Sequence, residues 1–239
     1  VLGEGEEVSG EILALFRTAR DGGWEKARFL REAAKIGGIY VPSLYEPSWN
    51  EDGTLAALTP LSGAPEMVTK RIVSDLDKAY FPVSPIVPST EIVHDRVNLE
   101  LFRGCIRGCR FCQAGYVYRP IRARSPETIV AQGIESLGNT GSQEATLLSL
   151  SSSDYKHLTE ACDGLLDWCE PRNVSLSLPS LRADNFSVEL VGRLQKVRRG
   201  GLTFAPEAGT QRLRDVINKN VEEEELLNTC RVAFEGGWN

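Results

Sequence analysis

Val97-Asn98-Leu99-Glu100-Leu101-Phe102, followed almost at once by Cys105-Ile106-Arg107-Gly108-Cys109-Arg110-Phe111-Cys112, is the stretch that decides how this chain folds. The apolar–polar alternation over 97–102 predicts a strand. The three cysteines come directly after it, at C-x3-C-x2-C spacing. Three thiolates so spaced wrap one face of a cubane iron–sulfur cluster, and Gly104 and Gly108 permit the tight dihedrals that wrapping requires. Three ligands leave one iron open for chemistry. A structural zinc site takes four closed ligands, whereas His94 and His157 are isolated. Two readings without catalysis stand beside this one: an electron-transfer or structural iron–sulfur site, and three incidental core cysteines.

Outward from this stretch the rhythm is strand, loop, helix, repeated. A helix is expected over 126–137, with Ser125 as N-cap and Pro126 in its first turn. Strands are expected over 145–150, 174–178 and 201–204, and helices over 155–169, 188–197, 211–217 and 221–234. The last opens with Asn220 and Glu223 in the outline of a capping box. Repeated βα units predict an α/β fold with a parallel sheet, doubly wound or part of a (β/α) barrel, with function at the carboxyl ends of the strands.

The first ninety residues have another texture. Helices are expected over 7–20 and 24–36, and short strands over 39–42 and 54–58 around the turn at 50–53. Prolines at 60, 65, 82, 85 and 88 have the composition of a connector. The expected organisation is therefore 1–36 as the end of an upstream domain, 37–93 as a linker and 94–239 as the core. With Met67 as the sole methionine, and both ends cut in mid-pattern, the chain is expected to be a piece of a longer protein.

A net charge of −6 carries no global attraction to nucleic acid. There is no apolar run long enough to span a membrane and no secretory signal. Six cysteines in a chain of 239 residues without a signal favour a metal or redox site in a reducing cytoplasm. No P-loop, nucleophile elbow or dinucleotide fingerprint is present.

The cysteine pattern, with aromatic Phe111 before the last cysteine, resembles the radical S-adenosylmethionine (radical SAM) superfamily. Residues 201–219 resemble a segment of those members that carry an upstream cobalamin-binding domain, and Gly3-Glu4-Gly5-Glu6 is similar to the end of that domain. The likeness is greatest to an uncharacterised subgroup. It implies a partial (β/α) barrel of the radical SAM type, of which about four βα units are covered. It implies a [4Fe-4S] cluster on Cys105, Cys109 and Cys112, reductive cleavage of S-adenosylmethionine to a 5′-deoxyadenosyl radical, and an external flavodoxin- or ferredoxin-like electron donor. Cobalamin enters through the upstream domain. By position, Phe111, Ser152, Ser180, Arg182, Glu207 and Lys219 are implied to surround S-adenosylmethionine. The Gly-Gly-Glu that holds the amino group in the family is replaced by Ser151-Ser152-Ser153-Asp154. Methylthio transfer and cobalamin-dependent methyl transfer are the alternatives. Methylthio transfer needs a second cluster, and Cys162, Cys169 and Cys230 are scattered.

The stretch 103–124 has six arginines and no acid. It reads either as a patch for a phosphate, a carboxylate-rich substrate or RNA, with Tyr116 and Tyr118 placed to stack bases, or as arginines that brace the cysteine loop and pair with acidic residues of the barrel. Cys162 and Cys169 share one helix face and read as small buried hydrophobes.

Overall fold

Gly22 stops the first helix where the sequence places its end: α1 spans Val8–Asp21, and the Gly22 N–H closes onto Thr18 O. The computed structural model describes residues 1–61, 63–185, 188–194, 196–198 and 200–238. The chain divides into two units, Val1–Ser74 and Asp75–Asn239.

In the first unit α1 packs on α2 (Lys26–Ala33) around Val8, Ala33, Ala34, Ile39 and Val41. The strand expected over 39–42 is absent. Ile39 and Val41 are drawn into this small core, and Pro42 opens a 3-10 turn. The strand begins after that turn, as β1 (Tyr45–Trp49), antiparallel to β2 (Leu55–Pro60). The turn at 50–53 forms as expected, with Gly53 N–H on Asn50 O at 3.0 Å. The Gly3–Glu7 segment lies along Arg71. Gly3 forms a bridge with that residue, Glu7 and Glu11 grip its guanidinium, and the Glu4 carboxylate accepts Val73 N–H.

The second unit is built on three parallel strands: β3 (Val97–Glu100), beside it β6 (Glu144–Leu148), then β7 (Ser175–Ser177). Between β3 and β6 come a two-residue ladder of β4 (Phe102–Arg103) with β5 (Arg122–Ala123), the short helix α3 (Ala114–Val117) and α4 (Pro126–Thr140). Ser125 caps α4 as expected, its hydroxyl accepting Thr128 N–H at 3.2 Å. The next connections carry α5 (Leu158–Cys169) and α6 (Val188–Leu194). The last expected residues of the latter include Gln195, which lies outside the described residues.

The helices cover one face of the sheet. Leu99, Ala145, Leu147 and Leu176 meet Ile129, Leu165, Leu166 and Leu190 there, with Cys162 and Cys169 among them. Burial pushes these two thiols up, to about 12 and about 11, so they are inert hydrophobes as expected. On the other face Asn98, Thr146 and Ser177 form a polar row in register.

Residues 201–204 form no ladder with β7 among the described residues, so the fourth strand is not formed. Leu202 and Phe204 keep a strand-like alternation of burial. Gly200 and Gly201, lacking side chains to pack, weaken any pairing here. Two helices follow, α7 (Gln211–Val216), capped by Thr210, and α8 (Glu223–Glu235). The capping box of α8 uses Glu222 and Glu225, not Asn220. Asn220 instead takes a left-handed conformation that carries the chain into the helix. No described helix is long and apolar enough to cross a membrane.

Leu165 is fully buried between the sheet and α4. Leu165→Ala is expected to cost about 2–5 kcal/mol in urea unfolding; a loss below 1 kcal/mol would show that this layer is not the centre of the core.

Candidate functional site

A parallel sheet sends all its carboxyl ends to one edge, and three loops meet there. The first follows β3 and β4 and carries the cysteines. Gly104 (φ 95°) turns it so closely that a Cβ would stand 2.9 Å from Tyr118 O, and Gly108 (φ 67°) turns it again. Cys112 N–H bonds Cys109 O at 3.0 Å, tying the last two cysteines into one turn. Cys109 is buried, Cys105 and Cys112 are half-buried, and all six cysteines are free thiols. Among the described residues no three His, Cys, Asp or Glu side chains stand close enough to hold a metal ion. The donor set still fits an iron–sulfur cluster: three free thiols on one tightly turned loop, with no fourth cysteine or histidine beside them in sequence.

The second loop follows β6 and holds Ser151, Ser152, Ser153 and Asp154, all but the last buried. Arg107, from between the first two cysteines, donates through Nε to Asp154 Oδ2 at 2.8 Å and through Nη2 to Oδ1. Ser151 Oγ donates to the same carboxylate at 2.7 Å. Burial pushes the Asp154 carboxyl up, but Arg107 and Ser151 outweigh it and hold the group below its ordinary value. The Asp154 contact in turn raises the Arg107 guanidinium further, so both stay charged. Arg107 Nη1 reaches Asp184, on the third loop, at 3.0 Å. A cavity of about 210 Å³ beside this pair is lined by Phe102, Cys105, Ile121, Ser151, Asp154 and Tyr155, among others.

The residues expected around S-adenosylmethionine fall into contacting sets. Ser152 N–H donates to Ser180 O at 3.2 Å, joining the second and third loops. Arg182 is buried and forks onto Asp184 at 2.8 and 3.1 Å. It also donates to the carbonyls of Lys219 and Asn220. Lys219 Nζ lies 3.1 Å from Glu207 Oε1, so these two pair with each other. Phe111 stands on the cysteine loop with its ring exposed. Ser180 (φ 60°) and Glu207 (φ 67°) hold left-handed backbone, an uncommon conformation outside glycine and asparagine.

The arginines of 103–124 have partners within the chain. Arg103 forks onto Glu100, Arg110 donates to Val216 O, and Arg124, itself buried, donates to Leu76 O. Arg119 lies over the Tyr116 ring. Asp184 and Asn218 were not singled out from the sequence, and Asp154 was noted only within the Ser151–Asp154 stretch, without a role. The available signal was Asp154 as the one carboxylate in the loop after β6.

Three comparisons bear on this geometry. The family model described as the radical SAM superfamily matches residues 99–239. An uncharacterised protein of Methanocaldococcus jannaschii is 37% identical over 139 residues, covering 58% of this chain and 30% of that protein. A protein of the same organism with a provisional methylthiotransferase name is 26% identical over 152 residues, 59% of this chain and 33% of that protein. The chain thus spans about a third of these relatives. Among solved structures, the radical S-adenosylmethionine methyltransferase TsrM from Kitasatospora setae, with tryptophan and a SAM analogue bound, matches with a TM-score of 0.56 and 16% identity. That match covers 100% of this chain and 44% of TsrM.

Removing Arg107 leaves two carboxylates at the strand edge without their shared cation. Arg107→Ala is expected to lower stability by about 1–3 kcal/mol, and Arg107→Lys, without the planar fork, to recover only part of it. An unfolding midpoint equal to wild type in both variants would remove the ion pair from the account.

Proposed function

Given that the chain belongs to the radical SAM superfamily, we propose that it forms part of an enzyme whose cluster is held by Cys105, Cys109 and Cys112. The observation that carries this is the placement of the three free thiols on one loop at the carboxyl edge of a parallel sheet. When bound, a [4Fe-4S] cluster at these thiols supplies the electron that cleaves S-adenosylmethionine and generates a 5′-deoxyadenosyl radical. The three parallel strands are then part of a partial (β/α) barrel, which residues 201–204 would continue.

The chain's own residues bind, orient and exclude water. Phe102, Ile121 and Tyr155 give the cavity beside Cys105 an apolar wall. Phe111 offers its exposed ring to the adenine of S-adenosylmethionine. Ser152 and Ser180, joined across two loops, and Arg182 line the edge on which the ligand sits. Glu207 and Lys219, already paired, offer one charge each to a ligand with an ammonium and a carboxylate. An external flavodoxin- or ferredoxin-like protein delivers the electron. Cobalamin, where used, belongs to the upstream domain. Six free thiols support a reducing cytoplasm as the compartment.

Methylthio transfer is the second reading, favoured by the 26% identical relative. Against it, Cys162 and Cys169 are packed in the hydrophobic core and do not offer ligands for a second cluster. The braced arginines favour support of the cysteine loop over an RNA surface.

Anaerobic reconstitution of the whole protein tests the main reading. About four iron and four sulfide per chain are expected, with 5′-deoxyadenosine released from S-adenosylmethionine on reduction. Cys109→Ala should lose both. A Cys109→Ala protein that keeps its iron or still cleaves S-adenosylmethionine refutes the assignment.

A further inference from the structure

The segment 201–219 stands out in the sequence, yet the proposed chemistry uses only Glu207 and Lys219 from it. Its end does something else. Asn218 follows α7 in a left-handed conformation (φ 55°), which asparagine tolerates better than most residues. There its Nδ2 donates to two carbonyls of the cysteine loop, Gly108 O at 3.0 Å and Arg107 O at 3.3 Å. The neighbouring Ile217 O accepts Arg110 N–H at 2.9 Å.

These contacts join a circuit. From the Arg107 carbonyl, the chain leads to the Arg107 guanidinium, which donates to Asp184. Asp184 also receives the fork of Arg182, and Arg182 Nη2 donates on to Lys219 O at 3.0 Å and Asn220 O at 3.1 Å. Lys219 is bonded in sequence to Asn218, and the ring closes. Between β4 and α3 the cysteine loop has no regular structure of its own. Fixing its residues costs backbone entropy, so its shape must be held from outside.

We propose that Asn218, Arg182 and Asp184 are positioning residues that hold the backbone of the cysteine loop at the carboxyl edge of the sheet before any metal arrives. Asn218 acts on the backbone, and Arg182 and Asp184 act through Arg107 and the 218–220 turn. The inference rests on the reading of Cys105, Cys109 and Cys112 as metal ligands, but the ring itself is tested on metal-free protein.

The whole protein, prepared without iron, is treated with iodoacetamide and the alkylation of each cysteine is followed by mass spectrometry. Asn218→Asp removes the amide donor at constant size, and Asn218→Gly keeps the left-handed backbone while removing the side chain. Both variants, and Arg182→Lys, are expected to alkylate at Cys105, Cys109 and Cys112 at least about fivefold faster than wild type. Cys162 and Cys169, buried in the core, should stay protected. Rates equal to wild type in both Asn218 variants overturn the proposal. So does an equal rise at all five thiols, which is a general loosening of the fold. Reconstituted variants should also take up iron more slowly and show a changed electron paramagnetic resonance signal of the reduced cluster; wild-type loading and signal would count against the ring. A wild type that takes up no iron removes the metal-site reading, while the alkylation rates still decide the ring.

Discussion

The guanidinium of Arg107, held between Asp154 and Asp184, is the interaction on which the site depends. It reaches from the cysteine loop to the loops after β6 and β7. A charge so enclosed is costly unless it is matched. Here two guanidinium groups, Arg107 and Arg182, meet two carboxylates, and Arg182 Nη2 also donates to two backbone carbonyls. The cluster of charges is neutral and directional, so it fixes the relative positions of three loops that share no ladder.

The sheet beneath explains why the loops can be held this way. All the helices that pack on β3, β6 and β7 do so through one face, where leucine, alanine and cysteine side chains interlock. The opposite face is left with Asn98, Thr146 and Ser177, and the loops at the carboxyl edge carry the serines and acids. The division between a packed side and a polar side follows directly from the two-residue period of a strand.

Local signals were the legible ones. Ser125 and Pro126 mark the start of α4, and the alternation over 97–102 and the apolar face of 158–169 mark a strand and a helix. The cysteine spacing marks the candidate site. Where the sequence misled, a distant partner decided the outcome. Ile39 and Val41 have strand-like composition but are taken into a helix core, and the 201–204 stretch has the right alternation without a ladder. The ring around the cysteine loop leaves no local trace, because its contacts join residues as far apart as Arg107 and Asn218. Arg182 and Lys219 could be singled out by position, but not their partners in the fold: Asp184 for the one, Glu207 for the other.

The separation of Gly108 and Asn218 also sets an order of events in time. Asn218 lies 110 residues beyond Gly108. At about 5–20 residues per second of synthesis, the ribosome makes the cysteine loop roughly 5–20 s before the side chain that grips it. During that interval three thiols are on the nascent chain without their support. If the three thiols hold a cluster, its loading belongs after translation of α7, because a chain stalled short of that point carries the cysteine loop without the Asn218 contact.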